Sequence, residues 1–205
     1  MPPVHHDYPR SRDRHALALR CAGALAALLT VLLLAACSEP GAQSGDGKAA
    51  PSAFPGSATS LEALSEGVLR GLARGDVSAL EGFRLAEGEH NQVVWPELPA
   101  SAPEVNFPVD LAWTNIQSRN RSAIARLLPL FEGREPSLRG VGCRGITERF
   151  ETFSVLTDCW VTFDMDDSPG LLEAQLFKDV LSRGGGHKVF RYYDEEPRAI
   201  TSVGG

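Results

Sequence analysis

The chain predicts an α+β fold, a roll in which N-terminal helices pack on a curved antiparallel four-stranded sheet. Three observations carry this expectation. Apolar residues recur at helical spacing up to about Leu128, they alternate at period 2 after Gly133, and the strand-like runs are joined by turns too short for parallel crossovers.

The first helix is expected from Leu61, Leu64, Val68 and Leu72, with Ser60 as its N-cap and Gly75 as its stop. Asp76 then caps a second short helix that buries Leu80 and Phe83. A polar stretch, Glu87 to Val94, leads into Trp95-Pro96-Glu97-Leu98-Pro99, where the prolines impose an extended or turning path. A third helix is expected over about Asp110 to Leu128, with Ile116, Ile124, Leu127 and Leu128 near one face, and Pro129 ending or kinking it.

Four strands follow, at Arg139 to Ile146, Phe153 to Met165, Leu171 to Leu181 and Lys188 to Tyr193. In the second, Phe153, Val155, Cys159, Val161, Phe163 and Met165 share the face that must meet the helices. A hairpin centred near Glu151 sets Cys143 opposite Cys159 and Val141 opposite Val161. Where oxidation is permitted, Cys143 and Cys159 form a disulfide; otherwise they are two buried thiols.

The 205 residues, 43% hydrophobic and 22% charged, amount to one domain plus flexible chain. Four Cys are too few for a disulfide-dense mini-protein, and a net charge of -6 argues against a nucleic-acid binder, which would normally carry a basic face. Arg10, Arg12, Arg14 and Arg20 precede an apolar run of about 15 residues, which matches a secretory signal and falls short of the roughly 20 that span a bilayer. The run ends in Leu34-Ala35-Ala36-Cys37, which resembles the lipobox of bacterial lipoproteins. The resemblance implies cleavage between Ala36 and Cys37, acylation of Cys37, and a bilayer as the first partner. Ser38 in place of Asp after the Cys implies sorting to the outer membrane, facing the periplasm. Without residues 1–36, which hold four Arg and two Asp, the net charge becomes -8.

Residues 37–59, rich in Gly, Ser, Ala and Pro, read as a lipidated flexible tether with a reach of roughly 25 Å. Residues 60–205 form a single α+β domain with a short C-terminal tail. Val94 to Ser101, Val109 to Trp113 and His187 to Phe190 make this domain resemble an uncharacterised group of bacterial lipoproteins. The order of elements also resembles the cone-shaped superfamily of nuclear transport factor two and ketosteroid isomerase. That resemblance implies a cone-like roll with a pocket between helices and sheet.

Catalytic chemistry is sparse. His90 lies in a polar Glu-Gly-Glu-His-Asn run that reads as a solvated face, and His187 reads as a turn residue. Neither has metal-ligand spacing, so no metal is expected; no nucleotide or acyl-transfer motif indicates a cofactor or a catalytic residue. Asp164, Asp166 and Asp167 fail the calcium-loop pattern, because Pro169 and Gln175 stand where Gly and Glu are required. Trp95 and Trp113 read as core or hinge residues that double as candidate ligand contacts. Trp160 points away from the core by alternation, with Phe177 beside it, as either a minor cluster under the Trp-Pro loop or a partner surface. The expected function is therefore a non-enzymatic binding domain for a protein or small apolar ligand of the envelope. Alternatives are a cone-superfamily enzyme using a pocket carboxylate such as Asp164, and a purely structural envelope component.

Overall fold

The structure is a computed structural model and describes residues 50–200 apart from Asp167 and Pro169. The leader, Ala36, Cys37 and most of the expected tether lie outside the described residues.

Helix α1 (Leu61–Ala73) begins where Ser60 Oγ accepts a hydrogen bond from the Ala63 N–H at 3.1 Å, satisfying one of the free donors of the first turn. Gly75, at φ +63°, reverses the chain, and Asp76 Oδ1 accepts from Ala79 N–H at 2.9 Å to start α2 (Val77–Gly82). A short helix α3 (Glu87–Glu89) widens into a π-helical turn, His90–Val94, in which the Trp95 N–H donates to the His90 carbonyl. Two 3-10 turns follow at Trp95–Glu97 and Pro99–Ser101, each with proline at its start, where no N–H is needed. Helix α4 (Val109–Phe131) runs past Pro129. That proline removes a hydrogen bond only in the last turn, while the next residues bring Phe131 to full burial, 5.5 Å from the ring of Phe163.

The sheet has six antiparallel strands, not four: β1 (Ser137–Cys143), β2 (Thr147–Arg149), β3 (Ser154–Asp164), β4 (Leu172–Arg183), β5 (Gly186–Tyr192) and β6 (Arg198–Ala199). The main order is β1-β3-β4-β5; β2 pairs with β3, and β6 with the start of β4. The strand expected over Arg139 to Ile146 ends at Cys143, where Asp158 on the facing strand takes a left-handed conformation (φ +56°), and pairing resumes only in β2, beyond Ile146. The register is the expected one: Val141 faces Val161 and Cys143 faces Cys159. A disulfide joins these cysteines, with an S–S distance of 2.01 Å.

One face of the sheet carries the helices. Val161, Phe163, Ala174, Leu176 and Val180 meet Leu64, Val68, Leu72, Ile124 and Leu127 in one core, all 0–3% exposed. Side chains fill the space that a cone would leave for a ligand. Phe177 belongs to this core, paired with Cys159 and 6.4 Å from Tyr192, rather than beside Trp160. The bulge between Cys159 and Val161 shifts the pairing, so alternation carried across from β3 puts Phe177 on the wrong face.

A second cluster gathers Leu85, Val94, Phe153, Val155 and Leu181 around Phe54, which is 4% exposed. The tether assigned to residues 37–59 therefore ends earlier. Ala58 exchanges two backbone hydrogen bonds with His187, and the Arg183 guanidinium lies 5.0 Å from the centre of the Phe54 ring. Gly184 (φ +54°) makes room for this strap, because a Cβ there would strike the backbone of residues 51–53.

Candidate functional site

The site grows from the way α4 covers the edge of the sheet. β5 is an edge strand, and its outward backbone groups need partners if they are buried. The backbone of Ala58, Phe83 and Leu85 serves His187 and Val189, and Asn120, 1% exposed, serves the next two: its Nδ2 donates to the Phe190 carbonyl at 3.2 Å and its Oδ1 accepts from the Tyr192 N–H at 2.7 Å. Helix and strand are thereby held in register. Two further ties fix the elements alongside. Lys188, 4% exposed, donates from Nζ to both carboxylate oxygens of Glu89 at 2.9 Å, and buried Arg84 joins Glu81 and Gln117.

This frame turns the π-helical segment inward. His90 is 0% exposed, which corrects the solvated face expected for it. Its ring lies 5.3 Å from Trp113, 5.8 Å from Trp95 and 6.5 Å from Phe190, and Trp95 in turn lies 6.3 Å from Phe107. Nδ1 is 2.6 Å from Asn91 Oδ1, a carbonyl oxygen that only accepts, so the proton belongs on Nδ1. Nε2 is buried with no hydrogen-bond partner. Burial holds the imidazole below its ordinary pKa, against a smaller upward pull from Asn91 and Glu87.

Trp95 and Trp113, both singled out in the sequence, thus meet through a histidine that sequence reasoning discounted. Beside them, Ala112, Ile116 and Arg119 share a face of α4 by helical spacing. With Trp95, Phe107 and Phe190, they line a hollow of about 270 Å³. A second hollow of about 380 Å³ continues along α4 and β5, bordered by Arg126, Lys178, Tyr193 and Asp194. Arg119 and Arg191 border both hollows. Arg126 pairs with Asp194, Arg191 with buried Asp179, and Lys178 Nζ lies 4.9 Å above the Tyr193 ring. Arg119 is exposed and has no ion-pair partner among the described residues.

The other candidates lie elsewhere. Trp160 sits on the sheet face away from the helices, with the guanidinium groups of Arg144 and Arg198 4.6 Å and 4.3 Å from its ring centre. Both arginines bind Glu173, whose carboxyl they hold below the usual range, Arg144 most strongly. The indole N–H donates to Asp158 Oδ1 at 2.8 Å. Trp160 is therefore packed by charged neighbours of its own sheet, while Phe177 lies in the core. Asp164 pairs with Arg139 and faces outward, not into a pocket. His187 is partly buried at the β4–β5 turn and bridges to Ala58. A larger hollow of about 680 Å³ between α1 and the start of β1 is lined by charges of both signs, including Glu66, Arg70, Arg74 and Glu135, with no aromatic wall. Among the described residues, no three His, Cys, Asp or Glu side chains gather to hold a metal ion.

No family model, curated protein or solved structure matches this chain.

Proposed function

We propose that this chain is a lipoprotein, anchored in the outer membrane by acylated Cys37 and facing the periplasm. Its folded domain is a non-enzymatic binding module that uses the groove between α4 and β5. The observation that carries the anchoring is Leu34-Ala35-Ala36-Cys37 at the end of a basic and apolar leader. Two or more acyl chains on one cysteine give durable attachment, since each buried methylene contributes about 0.8 kcal/mol. The Cys143–Cys159 bridge is consistent with an oxidising compartment. Among the described residues no helix is long and apolar enough to cross a membrane.

For the domain, binding is favoured over catalysis by what the groove offers: aromatic walls, a guanidinium and committed ion pairs, with His90 sealed behind the rings. The likeness to the cone-shaped superfamily extends to helices preceding an antiparallel sheet. Its pocket carboxylate has no counterpart at Asp164, which is spent on Arg139 at the surface.

The test is Cys37→Ala in the full chain. The wild type is expected to take up labelled palmitate and to sediment with envelopes; the variant is expected to take up none and to leave the membrane fraction. A variant that still sediments and is still cleaved after Ala36 would sink the lipoprotein reading.

A further inference from the structure

We infer that the groove between α4 and β5 binds a single-chain aliphatic carboxylate, its head on Arg119 and its tail in the aromatic hollow beside it. The inference rests on the binding-module reading and adds the chemical class of the ligand.

The charge arrangement points to the head. Four cations border the two hollows, although the mature chain carries a net charge of -8. Three have local partners: Arg126 in Asp194, Arg191 in Asp179, and Lys178 in the face of Tyr193. Of the two arginines common to both hollows, Arg191 is paired and Arg119 has no ion-pair partner among the described residues. One uncommitted charge suits a singly charged anion. A planar guanidinium presents two parallel N–H donors, the geometry that a carboxylate accepts in bidentate fashion.

The neighbouring hollow points to the tail. Trp95, Phe107, Ile116 and Phe190 line it with rings and methyl groups. Its volume of about 270 Å³ lies at the lower edge of the roughly 300–1,000 Å³ of drug-sized sites, which fits a slender chain better than a two-tailed lipid. Phe107, which lines the hollow, stays 38% exposed although its ring centre lies 6.3 Å from that of Trp95. An exposed ring in the wall of a small hollow, with one uncommitted cation at its border, is the pattern of an amphiphile site.

The probe is octanoate, titrated calorimetrically at neutral pH into the full chain carrying Cys37→Ser, which removes the acyl anchor and leaves every groove residue in place. Saturable one-to-one binding is expected, at least about tenfold tighter than octanol or octyltrimethylammonium. Arg119→Gln, a change at an exposed position, is expected to weaken octanoate at least about tenfold and to leave octanol unchanged. Phe107→Ala is expected to weaken both. The proposal is overturned by an absence of saturable binding, by octanol binding as tightly as octanoate, or by an Arg119→Gln variant with unaltered affinity. Capture by phosphatidylglycerol vesicles without octanoate binding would also overturn it, in favour of a lipid surface. Attachment of the wild type through Cys37 is read separately by fractionation, so either reading can fail alone.

Discussion

His90 shows how a residue's setting overrides its neighbourhood in sequence. Glu87, Gly88, Glu89 and Asn91 surround it with polar groups, yet the ring is fully buried, because Glu89 is drawn to Lys188 and the π-helical turn rotates the next side chain inward. Neutral imidazole is then the form the fold accepts. Above its ordinary pKa of 6.5, both folded and unfolded chains carry neutral His90, and nothing is lost. As the pH falls through that value, the unfolded chain takes up a proton that the folded chain refuses. Stability then declines by up to about 1.4 kcal/mol per pH unit until the lowered folded pKa is reached. His187, also lowered by burial, acts in the same direction. Thermal melting from pH 7.5 to 5 is expected to show this decline, and His90→Gln is expected to reduce its slope. A variant as acid-sensitive as the wild type would remove His90 from the account. Arg119 carries the opposite lesson: the sequence marks it only as one of several arginines on α4, and what sets it apart is that its neighbours have ion-pair or ring partners and it has no ion-pair partner among the described residues.

At the level of the element, local signals were legible where one residue decides one hydrogen bond. Ser60, Gly75 and Asp76 do what their chemistry prescribes at the ends of α1 and the start of α2. The hairpin register was legible too, because two cysteines and two valines had to align on the buried side. The bulges were not. The strand expected to reach Ile146 stops at Cys143, opposite the left-handed Asp158, and the shift beside Cys159 carries Phe177 into the core; both depend on how neighbouring strands meet. The disulfide ties β1 to β3 across this irregular stretch and closes a loop of 16 residues. Replacing both cysteines by alanine is expected to cost about 3 kcal/mol in denaturant unfolding, mainly by freeing the unfolded chain. Mass spectrometry of maleimide-treated protein should find Cys143 and Cys159 unlabelled until reductant is added; labelling of both beforehand would refute the bridge.

For the whole molecule, the chief revision is where the domain begins. Composition assigned residues 37–59 to a tether, and for most such segments a single aromatic residue is too little to order the chain. Phe54 escapes that rule because a second core, formed by Leu85, Val94, Phe153, Val155 and Leu181, leaves a place for its ring. Phe54→Ala in the full chain is expected to lower unfolding free energy by about 3–5 kcal/mol, the usual effect of removing a buried phenyl ring. A loss below about 1 kcal/mol would return the strap to the tether. What the sequence by itself determined was whatever rests on short-range chemistry: the α+β class, the helix caps, the hairpin register and the cysteine pairing. Tertiary structure alone decided the six-stranded sheet, the filled interior, the burial of His90 and the groove of α4 and β5. Periodicity specifies which face of an element is apolar, but the partner that covers this face is chosen by packing between residues far apart in the chain.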